Sequence, residues 1–245
     1  MKQVSIFVLI LLGAVLLAAG NGLPLFGDPH APAAKHVSDH YIEHAYHDAH
    51  TPNFVTVMIA DYRSFDTLGE TMVVFAAGMA CLLLLRGHVR RRGGVVLPPI
   101  VHRDDSIITD LVTRAMVPVI QIFALYVVFH GHYSPGGGFQ GGALLAGSVL
   151  LVRVVLGQDR SNPIFPVSWG TPFGVAGLAI FLGVGLVALA FGGSGLQYDH
   201  LPLGLEPDML RNWGILIAEI GVAFAVMGTL VSIFDDLSGE SGEVA

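Results

Sequence analysis

About six apolar segments, each of roughly 20 residues, dominate this chain and limit what it can fold into. They run approximately from Val4 to Gly20, Phe65 to Leu85, Ile107 to Phe129, Gly138 to Leu156, Gly170 to Phe191 and Trp213 to Phe234. Lipid offers no hydrogen-bond partners, so a segment that crosses it must satisfy its own backbone, as a helix does. Composition agrees: of 245 residues 53% are hydrophobic and only 13% charged, with mean hydropathy +0.67. A water-soluble domain carries about 25% charged residues. The expected fold class is an all-α integral membrane protein, a two-helix unit followed by a four-helix unit.

The first segment admits two readings. Lys2, a short apolar run and Ala18-Ala19-Gly20 resemble a cleavable signal peptide. The run also suits an uncleaved anchor, which is the preferred reading. Orientation follows from Arg86, Arg90, Arg91, Arg92 and Arg103 between the second and third segments, and from Arg153 and Arg160 near the end of the fourth. The positive-inside rule places these in the cytoplasm. The stretch from Asn21 to Asp61, the turn near Tyr133 and the stretch from Gly193 to Arg211 then face outward. The acidic run Asp235 to Glu243 returns to the cytoplasm, and both termini are cytoplasmic if residues 4–20 are an uncleaved anchor.

Four regions are expected. Residues 1–92 form the two-span unit, with a histidine-rich outer loop over 24–53. Residues 93–103 are a linker; the basic, glycine-flanked run Gly87-His-Val-Arg-Arg-Arg-Gly-Gly94 leads into it, and it contains Pro98-Pro99, where a helix cannot run on. Residues 104–237 form the four-span unit, and 238–245 an acidic tail. The net charge of −7 comes with few basic residues, none gathered on an exposed face, so nucleic acid is not an expected partner. The single cysteine, Cys81, lies in an apolar run and is read as packing; no disulfide framework or cysteine metal cluster follows from it.

Between the third and fourth segments lies His130-Gly-His-Tyr-Ser-Pro-Gly-Gly-Gly-Phe-Gln-Gly-Gly142. Pro135 cannot continue the preceding helix, and the glycines allow close backbone approach. One reading is a tight turn between packed helices. The other is a break facing ions or water, since irregular backbone at membrane depth must be covered by protein or line a cavity.

Charges near or within the membrane are the other candidates, because they are costly there unless paired or hydrated. In Asp61-Tyr-Arg63-Ser-Phe-Asp66-Thr-Leu-Gly-Glu70, a helix would align Arg63, Asp66 and Glu70 on one face. They read either as an interfacial ion-pair cluster or as part of an ion path, with Glu70 nearest the apolar run. Glu219 lies alone among charges between Trp213 and Phe234, about two turns from the outer end. It is read as a group that passes protons or holds a cation, against the alternative of a carboxylate satisfied by a neighbouring subunit. Asp110 and Arg114 have the spacing of a local ion pair. Pro118 and Gln121 fit a kink or packing equally.

His36, His40, His44 and His47 recur at helical spacing in the outer loop and would share one face. Imidazoles so placed are weak candidates for metal ligands; a solvated amphipathic segment, with Asp39, Glu43 and Asp48, is the preferred reading. Small residues recur at packing spacing in Gly170, Gly174 and Gly177, and in Gly214, Ala218 and Gly221. As exposed strips they imply partner helices. No internal repeat is evident, and nothing matches the paired broken helices of a self-contained transporter. The chain reads as one component of a larger assembly.

The run from Arg114 to Gly142 and the run from Glu219 to Asp236 resemble the B subunit of Mrp-type multisubunit cation/proton antiporters, over about Asp104 to Leu237. The stretch Asp61 to Glu70 is similar to the C-terminal end of the large A subunit of those complexes, a piece that in related membrane-bound hydrogenases is a small separate subunit. The resemblance implies a fusion of an A-subunit tail to a B subunit. It implies exchange of sodium or another monovalent cation for protons in a prokaryotic cell membrane, with other hydrophobic subunits as partners and no cofactor. The B-subunit signature maps onto Pro135, Gly136, Gly137, Gly138, Phe139, Gly141 and Gly142, and the A-tail carboxylates onto Asp61, Asp66 and Glu70. The histidine-rich loop departs from the family pattern. Two other classes stay open: a non-redox membrane subunit of a redox-driven pump, and a metal-sensing or structural membrane protein that uses the histidine loop.

Overall fold

The computed structural model describes residues 2–91 and 106–238, and it divides into two compact units between Glu43 and His44. The linker 93–103, with Arg92, Arg103 and the tail beyond Ser238, lies outside the described residues. Among the described residues the structure is helical, and six helices are long and apolar enough to cross a membrane.

The first unit holds α1 (Lys2–Gly20) and α2 (Pro32–His36). None of the apolar window of α1 is buried within the chain. A helix that is hydrophobic all round needs lipid or a partner to cover it. The helix α3 (Ser38–Ala49) begins after a one-residue interruption at Val37. His36 thus ends α2, whereas His40, His44 and His47 are on α3. Among the described residues no three His, Cys, Asp or Glu side chains gather in a way that would hold a metal ion.

In the second unit α4 (Phe54–Val57) leads into a wide, π-type turn over Met58–Tyr62, then into α5 (Ser64–Arg91). There follow α6 (Ile107–Phe129), α7 (Gly138–Leu156), α8 (Gln158–Ser161), α9 (Gly170–Ala190) and α10 (Pro207–Leu237). The bounds of α6 and α7 coincide with the apolar segments. Helix α10 is longer than its apolar segment at both ends. Pro207 starts it, because the first helical turn needs no backbone donor there.

Helix α10 is the central helix, with 67% of its apolar window buried against 22% for α5 and α6. It packs against α9, α7 and α5, while α6 packs on α7. Side-chain-free surfaces let α9 and α10 approach closely. A Cβ on Gly177 would strike the backbone of Gly221 and Ala225, and one on Gly228 the backbone of Gly170 and Gly174. Gly170, Gly177 and Gly221 are thus taken up by the α9–α10 crossing inside the chain, while Gly214 packs on Tyr198 and Gly174 also meets Phe75 of α5, which corrects the reading of these strips as surfaces left for partners. Cys81 is exposed rather than packed inside the chain.

Arg153 and Asp235 form a buried pair. Arg153 is wholly buried on α7 and Asp235 lies within α10 at 1% exposure. Their side chains meet at 2.7 Å, and Arg153 also donates to the Phe165 carbonyl at 3.1 Å and to the Ser161 hydroxyl at 3.3 Å. At the same end of the unit Asp110 pairs with Arg114 at 2.9 Å, as its spacing indicated, and also with Arg160 at 3.2 Å.

Candidate functional site

The glycine break folds directly onto Glu219. Helix α6 ends with His130 as its C-cap, and the Gly137 amide returns to the Val127 carbonyl at 3.2 Å. Gly137 has φ of 131°, a conformation that side-chain-bearing residues rarely adopt. The turn so formed lays Gly131, Gly137 and Gly138 against one face of α10. A Cβ on Gly131 would lie 3.2 Å from Glu219 Oε2, and one on Gly137 would lie 2.8 Å from Oε1. Gly138 packs on the Glu219 backbone itself, and Gly142 on that of Ala223 one turn further.

Glu219 is 5% exposed, and its Oε2 has no hydrogen-bond partner among the described residues. His132, from the turn, brings Nδ1 to 4.0 Å from that oxygen. Its other nitrogen, Nε2, lies 3.1 Å from the Asn212 carbonyl. A carbonyl can only accept, so Nε2 carries the hydrogen. Burial holds His132 below the usual histidine range, partly offset by that carbonyl. In the neutral form of the ring this leaves the Nδ1 lone pair toward the carboxyl group, so that two acceptors face each other across a buried gap that a proton or a small cation would fill.

The stretch that follows α3 clamps this turn. Asn53 donates through Nδ2 to the carbonyls of Gly131 and Ser134, each at 2.9 Å, and its backbone amide donates to the His132 carbonyl at 2.9 Å. The Thr56 hydroxyl donates to the Gly131 carbonyl at 2.7 Å. Asn212 closes the ring from α10, donating to Thr51 Oγ1 at 2.8 Å. The three stretches expected to face outward therefore meet at one end of the unit.

Asp61 lies beside this ring. Arg211 of α10 holds its carboxylate with Nη2 at 2.6 Å and Nε at 2.7 Å. Burial raises the Asp61 pKa, while the Arg211 guanidinium pulls it back. The Tyr62 hydroxyl donates to Asp48 at 2.7 Å, and burial followed by that carboxylate raises the phenol's pKa.

Of the expected ion-path residues, the structure brings Asp61 and Glu219 onto the same half of α10. Arg63 and Asp66 pair with each other on the surface, Nε to Oδ2 at 2.6 Å, and Glu70 is exposed. In the glycine signature Gly136 and Gly141 pack on α6, while Pro135 and Phe139 are exposed. His132, Asn53, Thr56, Arg211 and Asn212 were not singled out from sequence. His132 lies inside the glycine stretch, and Arg211 is a cation two residues before the last apolar segment; these were the available signals.

Known proteins share both the sequence pattern and the fold of this chain. The family model of the domain related to the MnhB subunit of Na+/H+ antiporter matches residues 108–232, and the MbhE model, which describes one of the MBH subunits, matches residues 11–99. A Rhizobium meliloti protein described as a probable K(+)/H(+) antiporter A/B subunit is 25% identical over 252 residues, covering 92% of this chain and 24% of that protein. The chain thus spans only about a quarter of that relative. A Staphylococcus haemolyticus protein carrying the name antiporter subunit mnhB2 is 29% identical over 141 residues, 56% of this chain and 97% of its own. Among solved structures, the Mrp complex from Dietzia sp. DQ12-45-1b superposes with a TM-score of 0.69 at 26% identity, over 100% of this chain and 26% of that one. The membrane-bound sulfane sulfur reductase, an archaeal respiratory membrane complex, shares the fold with a TM-score of 0.65 at 24% identity, over 96% of this chain and 97% of that one. With half of its length matched by the family model, and an A-like segment joined ahead of it, the chain belongs to the MnhB-related family of antiporter-subunit domains.

Proposed function

We propose that this chain is a membrane subunit of a multisubunit monovalent cation/proton antiporter, and that Glu219 is a titrating site in its ion path. The observation that carries the reading is the buried pair Glu219 Oε2 and His132 Nδ1 at 4.0 Å, held where the glycines of the turn lie directly against α10. The site works by alternation: a proton or a monovalent cation occupies the gap, and its exchange for the other couples the two flows. The end that carries Asn53, His132 and Arg211 faces outward, and the end with Asp110, Arg114 and Arg160 faces the cytoplasm of a prokaryotic cell, by the positive-inside rule. Residues 1–92 act as the A-subunit-like tail and 104–237 as the B-subunit-like domain.

Glu219→Gln keeps the shape of the side chain and removes the titrating proton. Complex yield is expected to stay normal while cation/proton exchange slows by on the order of ten-fold or more, as loss of an acid–base group does. Exchange at the normal rate with an unaltered pH profile would make Glu219 structural. A second expectation concerns autonomy. The purified chain alone in liposomes is expected to show no exchange, because its described residues form no paired broken helices to serve as two gates. Robust exchange by the single polypeptide would sink the reading as one part of a larger transporter.

The fold shared with the archaeal respiratory complex favours a second reading, in which the same membrane module serves a redox-driven pump. Purification with native partners separates the two: antiporter-type subunits alone support the first, and co-purifying redox subunits the second.

A further inference from the structure

A groove at the end of the unit that carries Asp110 has no part in the site around Glu219. It lies between α6, α7 and α8 and encloses about 430 Å³. Thr113, Val117 and Pro118 of α6 face Val152 and Leu156 of α7 across it, and Arg114, Arg160 and Ile164 complete the lining. Pro118 has no amide hydrogen, so the hydrogen-bond ladder of α6 is interrupted here, at the Arg114 carbonyl four residues earlier. Val117, Val152 and Leu156 form a small apolar core of their own, so the floor of the groove is hydrocarbon.

The lining is graded along the helices. Leu156 is the last residue of α7, and Arg160 lies beyond it on α8. Val117 and Pro118 lie about one turn further into α6 than Arg114, and Val152 about one turn back into α7 from Leu156. The charged residues thus stand at the end of the spans, and apolar ones lie deeper. Side chains lean toward the N-terminus of their helix, which turns Arg114 toward that end and onto Asp110. Asp110 Oδ2 receives Arg114 Nε at 2.9 Å; its Oδ1 receives Arg160 Nη1 at 3.2 Å and Arg114 Nη2 at 3.4 Å. Two guanidiniums therefore share one carboxylate, and both stay accessible, at 56% and 50%. Each guanidinium carries five N–H donors, so most of them are left for a second anion. A charge beside lipid is costly unless it meets a counter-charge or water.

We propose that this groove holds one anionic phospholipid from the leaflet at that end, with its phosphate on Arg114 and Arg160 and an acyl chain along Val117, Pro118 and Val152. The order of the lining residues, charged at the membrane surface and apolar below, is the order of the groups in such a lipid. The planar guanidinium fork matches phosphate oxygens two at a time. A basic pocket between spans at one membrane face is the general form of an anionic-lipid site. A zwitterionic headgroup brings its own cation beside the phosphate, which two arginines sharing one carboxylate disfavour. A soluble phosphate has nothing to lay on the hydrocarbon floor. The lipid fills a seam that the side chains of α6 and α7 leave open.

The test uses the intact complex that contains this chain, reconstituted in phosphatidylcholine vesicles with a minor share of phosphatidylglycerol of the same acyl chains. A benzophenone amino acid placed at Ile164, which lines the groove and is 60% exposed, captures on illumination whatever lies there. Phosphatidylglycerol is expected to exceed its share of the vesicle among the captured lipids by roughly ten-fold, as a charge-assisted phosphate contact provides. Arg114→Gln combined with Arg160→Gln is expected to return the captured lipids to the vesicle ratio. If that complex is not recovered, Arg160→Gln, which leaves the Asp110–Arg114 pair in place, decides by the same ratio. Capture at the vesicle ratio by the unaltered arginines would overturn the proposal, leaving only ordinary bilayer lipid. Capture of another subunit would overturn it in favour of a protein helix. Loss of lipid capture on adding glycerol phosphate would overturn it in favour of a free anion.

Discussion

Gly138→Val is expected to abolish recovery of the intact complex, lowering its yield by roughly ten-fold or more, since overpacking of about 1–3 kcal/mol already shifts a folding equilibrium by that much. The Cβ would overlap the Glu219 carbonyl oxygen, with the Glu219 carbonyl carbon at 2.8 Å and its Cα at 3.0 Å. These are backbone atoms of the central helix, so no rotamer change relieves the contact. Helix α7 would have to lift from α10, and the turn over Glu219 would lift with it. The β-branch adds a second group to be placed in the same crossing. Gly147 on the same helix is the control, because a Cβ there meets nothing within 4 Å. Gly147→Ala is expected to leave yield and exchange intact. Yield of both variants is read from the purified membrane complex, and a Gly138→Val complex that assembles and exchanges normally would show that the α7–α10 crossing is not needed.

Breaking the buried pair at the other end is expected to cost about 3–5 kcal/mol, because one charge is then left in the interior without its partner. The two single variants should differ. Arg153→Met leaves an aspartate that can take up a proton and become neutral, whereas Asp235→Leu leaves a guanidinium that cannot lose one. Asp235→Leu should therefore be the more damaging. The double variant, Arg153→Met with Asp235→Leu, should recover most of the stability, since apolar groups of similar size replace a buried pair at little cost. Thermal unfolding of the detergent-solubilised complex gives the comparison. A double variant no more stable than Asp235→Leu alone would mean that the pair contributes through its further bonds to Ser161 and Phe165 rather than through the charges.

The legibility of this site in the amino-acid sequence was uneven, for identifiable reasons. Glu219 was visible because a carboxylate inside an apolar run has no local partner and stands out. The glycine stretch was visible because proline and glycine interrupt a helix wherever they occur together. Their contact with each other was not visible: it joins residues some eighty positions apart, and no periodicity reports which helix covers a turn. The partner of Arg153 was not visible either: its carboxylate comes from α10, some eighty positions away. The grouping of Arg63, Asp66 and Glu70 held only for the local pair, since i to i+3 spacing settles neighbours on one helix and nothing beyond it.

The sequence by itself determined the class of fold, the bounds of α6 and α7, and the local pairs Asp110–Arg114 and Arg63–Asp66. Each of these depends on interactions within a few residues, or on the demand of lipid that every span satisfy its own backbone. Only the tertiary structure decided that α10 is central, that α9 and α10 cross closely at Gly177 and Gly221, and that Glu219 meets His132 beneath the glycine turn. Those outcomes depend on which helix faces cross, and helix faces of nearly uniform hydrophobicity carry little directional signal. Crossing is selected by shape, where the absence of a side chain lets two backbones meet, and by the few polar groups that must find partners away from water.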